Sequence, residues 1–177
     1  MGAVPYLVAQ SRSKALGQRC AHAVGGMNIT GMTAKSSEWS GIAAITGLPV
    51  RVGAFEWYNE KTLPYGTVSD HMVTYCSTVR AMASTTLGLG SSTSYSTDAT
   101  DYTGANGRKG YNDYLGANHA SMCDAYWPIH GDVNIGNYSA FATYPSNWSG
   151  DGVHLTPTSR STYLKPLMLA GMNALGA

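Results

Sequence analysis

Apolar positions recur along this chain in two rhythms. Val68, Met72, Tyr75, Val79 and Met82 fall at intervals of three and four residues, which places them on one face of an α-helix. Asp70 near the start of that stretch and Arg80 near its end suit the helix dipole. Tyr111, Tyr114, Leu115 and Met122 mark a second helix, and Leu164, Leu167, Met168, Met172 and Leu175 a last one. Thr156 is a natural N-cap for the last, with Pro157 at the first helical position. Pro166 predicts a kink within it. Nearer the start, Pro5 opens a looser helical face through Val4, Leu7, Val8 and Leu16 as far as Gly17, and Ser36 to Ile45 reads as a short helix.

The other rhythm is the short apolar run bounded by turn residues. Ala21 to Ile29, Leu48 to Trp57, Thr85 to Gly90 and Ala125 to Ile129 read as strands, the last weakened by Pro128. Gly31-Met32-Thr33 reads as a turn, and Ser91 to Gly107 and Asp132 to Gly150 as long loops. Strands alternating with helices predict an α/β fold, a three-layer α/β/α sandwich with a mainly parallel sheet. In such sheets chemistry collects outside the carboxyl ends of the strands. The 177 residues fit a single domain, 1–177, with no repeat or linker.

Composition narrows the function classes. Only 12% of residues are charged and the net charge is +1, so there is no basic stripe for nucleic acid. No apolar run is long enough for a membrane span. Gln10, Ser11, Arg12, Ser13 and Lys14 interrupt any signal-peptide core near the start. The abundance of Gly, Ser, Thr, Tyr and Asn is the texture of a secreted or virion-associated protein. Cys20, Cys76 and Cys123 are too far apart for a CxxC site and odd in number, and Cys76 and Cys123 read as buried hydrophobes. His22, His71, His119 and His130 lack metal-ligand spacing, and Gly25-Gly26 lacks the pattern of a phosphate loop. Neither a metal nor another cofactor is expected.

The sharpest chemical signal is Asp151-Gly152-Val153-His154-Leu155-Thr156, between a Gly/Ser/Asn-rich loop and the capped last helix. A carboxylate three residues before an imidazole can accept from Nδ1–H and leave Nε2 to take a proton from a nucleophile. With the element order, this motif resembles the SGNH (GDSL-type) hydrolases, and Tyr111-Asn112-Asp113-Tyr114-Leu115-Gly116-Ala117-Asn118-His119-Ala120 resembles the helix before the final strand in phage and bacterial members. The resemblance implies a flavodoxin-like SGNH fold, Asp151 as orienter and His154 as general base. Gly31, in Ile29-Thr30-Gly31-Met32-Thr33, matches the block whose glycine N–H lines the oxyanion hole. The next block is Gly-x-Asn-Asp in that family. Here, alignment on Gly53 puts Phe55 at the amide position, whereas alignment on Asn59-Glu60 keeps the amide and puts Trp57 in place of the glycine. Asn59 is the preferred oxyanion donor, because such a hole needs a donor there. Trp148, just before the Gly150-Asp151 turn, is the best-placed aromatic for a substrate cleft.

One block is missing. The family's nucleophile lies in Gly-Asp-Ser after the first strand; no Gly-Asp-Ser occurs here, and Met1-Gly2-Ala3-Val4-Pro5-Tyr6 already stands at the helix that follows it. Ser11 and Ser13 fall inside that helix. Three readings stay open: a serine supplied upstream, with the first strand also missing here; a degenerate relative kept for binding; or another nucleophile. The function expected from the resemblance is hydrolysis of short acyl esters, with carbohydrate esters among the substrates. The alternative is an inactive carbohydrate-binding or structural module of a surface or virion protein. The sequence does not set the oligomeric state.

Overall fold

A computed structural model describes residues 27–36, 50–54, 58–82, 85–98 and 102–174. The expected helix after Pro5, Cys20, most of the 21–29 run and most of the 36–45 helix lie outside the described residues. What is described is an α/β fold around a parallel three-stranded sheet, order β1-β2-β3. Strand β1 is Val50–Ala54, β2 Thr85–Gly90 and β3 Ala125–Trp127. Val52 pairs with Leu87 and Ala54 with Leu89, and on the other side Leu89 pairs with Tyr126 and Gly90 with Trp127.

The helices connect and cover the strands. Helix α1 is Ile29–Lys35, α2 Tyr65–Arg80 and α3 Arg108–Met122. The periodic residues of α2 do form its inner face: Val68, Met72, Tyr75 and Val79 are fully buried. They pack in one cluster with Leu87 and Leu89 of β2 and Tyr111 and Leu115 of α3. Burying each such leucine contributes about 2 kcal/mol. Cys76 and Cys123 are free thiols in this cluster.

A second cluster contains Trp127, Ile129, Ile135, Ala140, Trp148, Leu155, Leu164 and Met168. Trp127 is its centre. A Cβ on Gly88 would fall 2.4 Å from the indole, and one on Gly171 would fall 1.1 Å from its Nε1. Both glycines are required by the close approach of the ring. Gly88 alternates with Leu87 and Leu89, so its open side is the opposite face of β2.

Two local readings change. Ile29 opens a helix instead of ending a strand, because Asn28 caps it: Gly31 N–H donates to Asn28 Oδ1 at 2.9 Å. The expected turn at Gly31-Met32-Thr33 is therefore part of α1. In the second long loop, a short helix α4, Ala140–Thr143, and a 3-10 turn, Pro145–Asn147, give local order. The last helix begins as expected, with Thr156 Oγ1 accepting from Ser159 N–H at 3.2 Å and Pro157 in the first turn. Arg160–Leu164 then forms a π-helical turn before α5, Lys165–Ala174, with Lys165 N–H donating to Arg160 O. The widened turn lies immediately before Pro166, where a regular helix would lose a donor and bring the ring against the preceding turn.

Candidate functional site

Asp151 and His154 meet. The loop that carries them is a tight hairpin, closed by an antiparallel bridge between Trp148 and Leu155. Ser149 N–H donates to His154 O at 2.7 Å and Thr156 N–H to Asn147 O at 2.9 Å. Gly152 sits at the tip with φ +66°, a conformation that disfavours any side chain. Its carbonyl accepts from Ser96 N–H at 2.8 Å, and a Cβ there would fall 2.7 Å from Ser96 Oγ. The turn is thus docked on the loop leaving the carboxyl end of β2, the strand at the centre of the described sheet.

Each carboxylate oxygen of Asp151 has its own task. Oδ1 accepts from the backbone N–H of Val153 at 2.9 Å and of His154 at 3.0 Å. Oδ2 lies 2.5 Å from His154 Nδ1. An ionised carboxylate can only accept, so Nδ1 carries a proton, and in the neutral imidazole Nε2 is then the lone-pair nitrogen. The bond to His154, reinforced by the two backbone donors, holds the Asp151 carboxyl well below its ordinary value, at about 2. Nε2 is shielded from solvent and has no hydrogen-bond partner, although the imidazole as a whole is about a third exposed. A buried nitrogen acceptor with no donor is costly, and a hydroxyl brought to it would remove that cost.

The two expected oxyanion donors lie together at the start of α1. Gly31 N–H is engaged by Asn28 Oδ1, and Asn59 Nδ2 donates to Met27 O at 3.0 Å. Next to Asn59, the buried Glu60 accepts from Ile29 N–H at 3.0 Å and from Thr30 N–H at 3.4 Å. Its second oxygen takes His71 Nδ1–H at 2.8 Å. A link joins this group to the Asp151–His154 turn. The link runs through one segment: Lys61 Nζ donates to Thr97 Oγ1 at 3.3 Å, and the neighbouring Ser96 holds Gly152.

Trp148 differs from its expected place in a cleft. It is 4% exposed, its indole N–H donates to Ser94 O at 3.0 Å, and its ring meets Phe141 edge-on at 5.3 Å. An indole with an apolar body and one donor is satisfied as a core residue here, and it fixes the base of the hairpin.

Sequence reasoning missed the group that ties the loops together. Arg108, fully buried, donates from Nε and Nη2 to the two oxygens of Asp98 at 2.9 and 2.7 Å. Its Nη1 donates to Ser92 O at 3.0 Å and Gly136 O at 2.9 Å. Asp98 also accepts from Ser94 Oγ at 2.6 Å. Burial raises the Asp98 carboxyl against the opposing pull of Arg108. One signal was available: an arginine as the first residue of a helix opposes the dipole, and such a placement asks for a specific partner. His130 forms another loop tether, with Nδ1 2.8 Å from the buried Ser91 Oγ; burial, then the nearby Arg108, lowers its pKa.

No known protein family matches this chain, and no curated protein or solved structure matches it. No described helix is long and apolar enough to cross a membrane.

Proposed function

We propose that this chain is a serine esterase domain of the SGNH type, built as a three-layer α/β/α sandwich. The single observation that carries the reading is the Asp151–His154 pair, with Nδ1 bound to the carboxylate at 2.5 Å and Nε2 left without a partner. That is the tautomer and orientation a general base needs. In this reading His154 takes the proton of a serine hydroxyl carried by a Gly-Asp-Ser segment outside the 177 residues. The serine attacks an ester carbonyl, His154 passes the proton to the leaving alcohol, and water releases the acyl group by the same route. Asn59 is the candidate amide donor to the oxyanion in this reading, while Gly31 serves only if its N–H leaves Asn28. Short acyl esters, including those on sugars, are the substrates this resemblance implies.

The test is p-nitrophenyl acetate hydrolysis by the chain joined to its upstream coding sequence. His154→Ala is expected to reduce the rate by ~10³-fold or more, in line with loss of a triad member. An unchanged rate in the variant removes His154 from the mechanism and with it the reading.

One observation favours a second reading, a non-catalytic carbohydrate-binding or structural module: Gly31 N–H is already paired within the fold and His154 Nε2 is closed to solvent. The absence of any hydrolysis above that of free imidazole, in a folded protein, is the result this reading expects.

A further inference from the structure

We propose that Tyr138 and Tyr102 form a subsite that takes the flat face of an uncharged sugar ring beside the Asp151–His154 turn. Its link to catalysis rests on the esterase reading above; its binding does not. Tyr138 is 55% exposed, yet it is not a loose side chain. Its ring stacks on Tyr102 with centroids 4.9 Å apart and planes 26° from parallel. Tyr102 in turn lies 5.3 Å from the Arg108 guanidinium. Arg108 is held by Asp98 and by the carbonyl of Gly136, two residues before Tyr138. The ledge is therefore fixed from beneath by a buried ion pair and costs little ordering when a ligand lands on it.

Its position and chemistry narrow the occupant. Three residues after Tyr138, Phe141 donates its N–H to Ser94 Oγ at 3.4 Å. The Phe141 ring edge would lie 3.4 Å from a Cβ on Gly152, so the segment that carries Tyr138 packs against the hairpin tip. Val133 and Tyr144, also exposed, lie in the same loop. Residues 133–150 contain no charged side chain. Of the cations beside Tyr102, Arg108 is buried and Lys109 is paired with Asp113. Among the described residues of this ledge, no side chain recruits phosphate, nucleic acid or an acidic peptide. An exposed phenol ring flanked in sequence by Asn137 and Ser139 matches a ligand with one apolar face and a polar edge, and a neutral pyranose has both.

Calorimetric titration of the chain with cellohexaose, xylohexaose and chitohexaose tests this. At least one is expected to bind with millimolar or tighter affinity, to bind about tenfold more weakly to Tyr138→Ala, and to bind Tyr138→Trp comparably to the parent. His154→Ala should leave the binding unchanged. The proposal is overturned if none of the three binds, or if Tyr138→Ala, folded by circular dichroism, binds like the parent. It is also overturned if light scattering shows a self-association that Tyr138→Ala abolishes, which assigns the ledge to a second copy. A failed His154 test in ester hydrolysis leaves this titration as it stands, so the two readings fail separately.

Discussion

At the scale of single residues, the Asp151 carboxylate is the most exposed to test. Its folded value of about 2 lies below the ordinary 3.8 because His154 and two backbone N–H groups favour the charged form. A depressed acid stabilises the fold fully above its unfolded value and loses that contribution as pH falls toward the folded value. The window here runs from about pH 4 down to about pH 2. Asp151 is nearly half exposed, so solvent screening keeps the contribution small. The direct check is a carboxyl NMR titration. Asp151 is expected to titrate near 2 in the parent and to move up toward the ordinary carboxylate range in His154→Ala. A midpoint unmoved by the substitution would mean that the backbone donors alone set it. Gly152 belongs to the same scale: its φ of +66° and the Ser96 side chain beside it make Gly152→Ala disruptive to the hairpin, expected as a lowered melting temperature.

Among the elements, the decisive contacts are those of Trp127 and Arg108. Gly171→Ala places a methyl within the indole of Trp127. Overpacking of this kind costs about 3 kcal/mol, read as a lower urea midpoint; parent-like stability would show that α5 is free to shift away. Arg108→Ala leaves Asp98 buried without its counterion and is expected to cost about 3–5 kcal/mol in the same measurement. Local pattern made much of this level legible. The face of α2, the bounds of β2 and the Thr156-Pro157 start of the last helix follow from spacing and capping chemistry alone. The start of α1 did not, because a short apolar run fits either a strand or a helix, and the deciding contact is one Asn28 side chain bond. Asp98 and Arg108 stayed hidden for a different reason: they meet only once the loops are folded.

For the molecule as a whole, the Asp151–His154 pairing was readable from three-residue spacing, whereas the fate of Trp148, Gly31 and Asn59 depended on what the rest of the fold brought to them. Trp148 is sequestered by Ser94 and Phe141 from a different segment, which no local pattern reports. Integrity of the whole can be read from the thiols. Burial pushes Cys76 up to about 12 and Cys123 up to about 11, so neither offers appreciable thiolate near neutrality. With Cys20 replaced by serine, a disulfide reagent is expected to find no reactive thiol at pH 7 until urea unfolds the chain; rapid native-state labelling would show that the first core cluster opens locally. The π turn at Arg160–Leu164 has an outcome of its own. Removing one residue from it would let the final segment wind without interruption, but every later side chain would swing by about 100° around the axis. The notch at Gly171 would turn away from the indole, so a smoother helix would make a poorer lid for the second core.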